Sequence, residues 1–265
     1  MRSSASGIVS LRSISIVVIL GVLLGRLPAL VHASIHELGH PLFRNHTPGV
    51  YMGVPRSQAV AQDASGVMYF GNGPDIMTFD GVDYGALKLP PESSGVRQFS
   101  KRADGTVFAC GSMVLGFVKG TGPSQVYVSL LDRLPLSARD AEEFHHIAAI
   151  GDTVYFSDEQ RVLVWRGGRF TVIPCPTPPH SRGARLHRVG DVLHVTALGH
   201  PLYRLNQDKL ETVADNPVVR ENQIASIEAG PDGTLIVLTT EKGFFHLESG
   251  RIGPWPTEAN RWLAE

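Results

Sequence analysis

From residue 57 onward, short apolar runs alternate with clusters of turn residues. Ala59 to Ala61 leads into Asp63-Ala64-Ser65-Gly66, Val67 to Phe70 leads into Gly71-Asn72-Gly73-Pro74, and Ile76 to Phe79 is closed by Asp80-Gly81. Runs of this length, separated by Gly, Asp, Asn and Pro, predict strands of an antiparallel meander. The pattern then returns at Asp104-Gly105 before TVFAC, Gly151-Asp152 before TVYFS, Gly190-Asp191 before VLHVT and Asp232-Gly233 before TLIVL. Taken at Gly66, Gly105, Asp152, Asp191 and Gly233, the steps are 39, 47, 39 and 42 residues.

A unit of about 40 to 45 residues carrying about four strands is the period of a β-propeller blade. One such sheet has two apolar faces and needs neighbours to cover them. The expected fold is therefore all-β, a β-propeller with five four-stranded blades at 57–94, 95–140, 141–183, 184–222 and 223–265. Within the third, Gly167-Gly168 between RVLVW and RFTVI signals a tight hairpin. The final WPTEANRWLAE reads as the lead-in to a further blade, so the expectation extends to a truncated piece of a seven-bladed or larger array. Tyr69, Phe79, Phe108, Tyr155, Trp165, Phe170, Tyr203 and Phe244 recur inside strand patterns. Packing between stacked sheets is their expected role.

Ahead of the repeats, Arg2 and Arg12 precede an apolar run from Ile14 to Gly25, and Val31-His32-Ala33 offers small residues for cleavage. That layout predicts an export signal over residues 1–33 and a mature chain on the periplasmic or extracellular side of the inner membrane. The run is short of the roughly 20 apolar residues a spanning helix needs, which leaves no span in the mature chain; retention of the signal as an anchor is the alternative.

Residues 34–56 are expected to form an N-terminal strap. It contains HELGHPLFRNH, in which His36, His40 and His46 have the ligand spacing of metzincin metalloproteases, with Glu37 as the counterpart of their general base. That chemistry needs a helix to bring His36 and His40 to one face. Pro41 disfavours helical geometry at His40, Phe43 stands where the motif has a turn glycine, and no substrate-binding sheet precedes it. The stretch is therefore read as extended chain without metal, the zinc peptidase being the lesser alternative.

Charge and cysteine content narrow the classes further. With 24 Lys and Arg against 25 Asp and Glu, and no basic run, the chain lacks the footprint of a nucleic-acid binder. Cys110 and Cys175 form no CxxC pair, and Cys110 lies within a strand pattern as a small buried hydrophobe.

QDASGVMYFGN with DIMTFDG, VRQFSKRADGTVFACG, VSLLDRLPLSARDAEEFHHI and VYFSDEQRVLVWRGGRFTVI, in that order, resemble the two-component regulator propeller repeats. The resemblance covers residues 41–265 and rests on order and spacing. It implies the extracytoplasmic sensor region of a bacterial receptor, whose output domains would belong to a longer protein; no kinase motif and no membrane segment after residue 34 is found in this sequence. Streptogramin lyases are also propellers, so a lyase is the enzymatic alternative on fold grounds.

No nucleophile motif, phosphate loop or dinucleotide loop is present, and no cofactor is expected. In a propeller the innermost strand of each blade lines the central channel. Here those strands carry Gln58, Arg97, His145 or His146, Arg185 with His187, and Gln223 with Ser226. Arg97, His145, His146, Arg185 and His187 are the candidate ligand residues at the channel mouth. Cationic and amide groups there suit an anionic or hydroxylated small molecule such as a glycan fragment. A homodimer is the other partnership the reading admits.

Overall fold

The turn signals of the sequence lie between consecutive strands. The computed structural model describes residues 45–175, 177 and 183–263. From His46 onward the chain forms one unit. Its strands are β1 (Ser57–Gln62), β2 (Met68–Asn72), β3 (Asp75–Phe79), β4 (Tyr84–Lys88), β5 (Gly95–Lys101), β6 (Val107–Ser112), β7 (Val114–Lys119), β8 (Val126–Ser129), β9 (His146–Ile150), β10 (Thr153–Ser157), β11 (Arg161–Arg166), β12 (Arg169–Pro174), β13 (Arg185–Val189), β14 (Val192–Thr196), β15 (Leu202–Asn206), β16 (Lys209–Ala214), β17 (Ile224–Ala229), β18 (Leu235–Thr239), β19 (Gly243–Glu248) and β20 (Arg251–Pro254). Each successive set of four makes one antiparallel sheet, giving five four-stranded sheets among the described residues. The Gly-Gly hairpin follows its sequence signal. Gly167 and Gly168, between β11 and β12, hold φ of 57° and 80°, and β11 and β12 stay in register from Arg166↔Arg169 to Arg161↔Pro174.

The first strand of each sheet lies beside the first strand of the next, in the order β1, β5, β9, β13, β17. Four apolar layers fill the spaces between consecutive blades. Tyr69, Ile76 and Val96 close the first; Phe108, Phe144, Phe156 and Leu163 the second; Val162, Leu193 and Val195 the third; Leu202, Ile227 and Val237 the fourth. Alternation along each strand sends one set of side chains to each neighbouring blade, which is why the strands read as nearly continuous apolar runs. Cys110 is fully buried in the second layer, where burial pushes its thiol well above the usual range. Burial likewise pushes Cys175 up to about 11.

Two departures from the sequence reading have physical causes. The expected loop over Gly71 to Pro74 is shorter, because β2 continues to Asn72, which pairs with Asp75. The Asn72 amide accepts from Val54 N at 2.9 Å and donates to Val54 O at 2.8 Å, holding it in place. The strap expected to be extended turns helical at α1 (Pro48–Tyr51), where proline opens the turn. Two further helices are α2 (Pro217–Glu221) and α3 (Glu258–Leu263), the latter within the tail read as the lead-in to a further blade. Asn260 of α3 accepts from Phe244 N at 2.7 Å and donates to Phe244 O at 2.9 Å, which fastens the helix to β19.

Among the described residues no helix is long and apolar enough to cross a membrane.

Candidate functional site

One rim of the blade array carries the starts of the five inner strands. Polar contacts between blades fix this rim. Ile147 N donates to Gln98 Oε1 at 3.1 Å, and Ser157 Oγ donates to Ala184 O at 2.6 Å. Each is a side chain of one blade bonded to the backbone of its neighbour, so the starts of β5, β9 and β13 are tied together.

The candidate residues do not form one group. Arg97 is the extra residue of a β-bulge in β5, between the pairs Val96↔Gly111 and Gln98↔Cys110. A bulge re-aims its side chain, and the Arg97 guanidinium meets Glu143, with Nη2 at 2.7 Å and Nε at 2.9 Å from Oε2. Arg97 is thereby neutralised on the side of blades two and three.

His145, His146, Arg185 and His187 do interact through their charges. His146 opens β9, and its pKa falls to about 4, first through burial and then through the Arg185 guanidinium and His145. His187 lies on β13 facing blade five. Its Nε2 is 3.0 Å from Thr196 Oγ1, and burial, His146, Arg185 and His194 bring its pKa down to about 3. His194, opposite it on β14, is buried too, and burial and then Arg204 lower its pKa. His146, His187 and His194 are therefore neutral at ordinary pH, and Arg185 supplies positive charge.

Arg185 lines a cleft of about 370 Å³ between blades four and five. Thr196, its cross-strand partner, lies on the same wall. With its amide oxygen turned toward the guanidinium, Gln223 accepts from Arg185 Nη2 at 3.0 Å and from Nε at 3.3 Å. Gln223 is in turn held by its carbonyl, which accepts from Thr240 N at 3.0 Å. One blade thus orients the cation of the next, at a size suited to a small molecule.

Sequence reasoning missed Thr196, Glu221, Asn222 and Glu241, which also line this cleft. The last three lie in connections, outside the inner strands where function was sought. A signal for two of them was present in Asn216-Pro217. Asn216 caps α2, its Oδ1 accepting from Val219 N at 3.3 Å, and Pro217 begins the helix. That turn ends at Glu221 and delivers Glu221 and Asn222 to the cleft. Glu241 sits in the β18–β19 turn, braced by Thr239 Oγ1 accepting from Lys242 N at 2.9 Å.

Of the metal alternative, His36 and His40 lie outside the described residues. His46 Nδ1 is 2.7 Å from Tyr84 Oη, and its ring meets Phe79 and Tyr84 edge-on. Among the described residues no group of three or more His, Cys, Asp or Glu side chains is placed to hold a metal ion.

No protein-family model matches the chain, and no curated protein matches it in sequence. Solved structures do resemble it. A virginiamycin B lyase from Staphylococcus aureus superposes with a TM-score of 0.58 at 15% identity, over 76% of this chain and 71% of that one. The Dos1 propeller gives 0.57 at 9% identity over 77% and 59% of the two chains. The propeller domain of Cps50 (Swd1) from Myceliophteria thermophila gives 0.54 at 14% identity over 77% and 74%. Likenesses at such identities establish the fold, and it is a β-propeller.

Proposed function

We propose that this chain is an exported ligand-binding propeller, the sensor module of a two-component-type receptor whose output domain belongs to a longer protein. On this reading it recognises an anionic, hydroxylated small molecule at the rim and catalyses no reaction. The observation that carries the proposal is the cleft in which Gln223 of one blade orients the Arg185 guanidinium of another. A fixed, permanently charged fork suits a carboxylate. Thr196 and Asn222 add hydroxyl and amide groups for a sugar ring. The repeat pattern supports the receptor context and the export signal supports the location.

Calorimetric titration with D-glucuronate, with D-glucose as the neutral control, tests the reading. The expected result is saturable glucuronate binding that weakens about tenfold or more in Arg185→Gln, the scale of a charge-assisted contact. Glucuronate binding that Arg185→Gln leaves unchanged would contradict it.

A second reading is favoured by the likeness to virginiamycin B lyase. In it, the same rim is the site of a lyase. Incubation with virginiamycin B separates the two: an intact antibiotic after prolonged exposure supports the binding reading, and its turnover by the purified chain supports the enzyme.

A further inference from the structure

The cleft at Arg185 carries charge of both signs. Glu221, at the end of α2, and Glu241, in the β18–β19 turn, line it together with Arg185 and are exposed. Among the described residues neither carboxylate has a hydrogen-bond or ion-pair partner. Elsewhere along this rim, among the described residues, the Glu142 and Glu159 carboxylates also lack a partner, but no cation left for a ligand lies with them, because the acids beside them take up the arginines. Glu143 is paired with Arg97, and Asp158 and Asp140 are both paired with Arg161. Arg185 itself is turned to the Gln223 amide across the blade boundary. The cleft therefore holds one oriented cation and two uncompensated anions within about 370 Å³.

We infer that the ligand is dipolar, an amino-sugar acid whose carboxylate meets Arg185 and whose ammonium lies between Glu221 and Glu241. This rests on the binding reading above and narrows it. An acid lacking the ammonium leaves two carboxylates beside a third, and like charges held close in a cleft repel it. An amine lacking the carboxylate forfeits the guanidinium fork. Thr196 Oγ1, which also meets His187 Nε2, and the Asn222 amide, whose Nδ2 donates to Val218 O, keep further hydrogen-bonding capacity for ring hydroxyls, so the sugar frame supplies the spacing between the two charges.

The test is a set of titrations of the full chain with muramic acid, N-acetylmuramic acid and glucosamine. These carry both charges, the carboxylate alone and the ammonium alone. The expected result is muramic acid binding at least tenfold tighter than either of the others. In Glu221→Gln/Glu241→Gln, an exposed double change that leaves the fold intact by circular dichroism, the advantage over N-acetylmuramic acid should fall to within about twofold. Equal binding of muramic and N-acetylmuramic acids, both lost in Arg185→Gln, would overturn the dipolar ligand while leaving the anion site standing. Failure of all three to bind would overturn both.

Discussion

His187 on β13 stands directly across from His194 on β14, both buried on the face of blade four that packs against blade five. The charged and titratable groups acting on them are His146, Arg185 and Arg204, and no carboxylate is among them. Burial and these neighbours hold both imidazoles neutral. An imidazole in the unfolded chain titrates near 6.5, whereas in the folded chain burial brings His187 down to about 3 and His146 down to about 4. Below pH 6.5 the unfolded chain therefore takes up protons that the folded one does not, and stability is lost progressively down to the folded values. By pH 4.5 His187 alone contributes a loss of about 2–3 kcal/mol. Urea unfolding at pH 7 and pH 4.5 measures it. His187→Gln, which keeps a partner for Thr196 without the titration, should flatten the dependence, and an unchanged slope would count against this pair.

The same field couples ligand to protons. An anion placed beside Arg185 offsets the positive charge that depresses His146 and His187, so their pKa values rise on binding and protons are taken up. Titrating D-glucuronate at pH 5 in two buffers of different ionisation enthalpy should reveal net proton uptake, with none in His146→Gln/His187→Gln. Proton release on binding would be the contrary result.

Arg161 is bonded to two carboxylates and a backbone carbonyl. Its Nε donates to Asp158 Oδ2 at 2.8 Å, its Nη1 donates to Asp140 Oδ1 at 2.7 Å, and Nη1 also meets Ser137 O. Asp158 is 3% exposed and Asp140 74%. Removing the arginine leaves the buried Asp158 carboxylate without its cation, the bond from Gln160 N remaining, so Arg161→Ala should cost about 3–5 kcal/mol in a denaturant titration. Asp140→Asn, at the exposed end of the same network, should cost under about 1 kcal/mol. Equal costs would contradict the ranking.

Two glycines separate close approach from turn geometry. A Cβ on Gly111 would lie 2.1 Å from Gly95 O and 3.1 Å from Arg97 N, at the bulge that aims Arg97 toward Glu143. Gly111→Ala should therefore destabilise by about 2–3 kcal/mol. Gly167 has φ 57° and open space around its Cβ position. Asparagine tolerates that conformation, so Gly167→Asn should stay within about 1 kcal/mol. Thermal unfolding of the two variants checks the contrast.

The fold was legible because a propeller repeats its physics. Every blade needs an inner strand, a Gly or Asp turn and a second apolar strand, and those signals return at Gly66, Gly105, Asp152, Asp191 and Gly233. The site was legible only in part. Arg185 stands on an inner strand, where geometry directs attention, whereas Glu221 and Glu241 come from connections whose placement depends on the asparagine cap of α2 and on the Thr239 turn. Arg97 shows the converse. Its place on an inner strand pointed to the channel, but a bulge in β5 turned it toward Glu143. Bulges and caps are set by a single residue's hydrogen bonds, and a repeat period carries no trace of them.

The central claim is that the cleft between blades four and five is where this propeller binds its ligand. Hydrogen–deuterium exchange of the full chain with and without saturating D-glucuronate tests it most directly. Binding in that cleft slows exchange only over Arg185–Val189 at β13 and the backbone from Glu221 to Ile224. Slower exchange instead at the opposite rim, around Asp63, Asp104 and Gly120 between blades one and two, would contradict it.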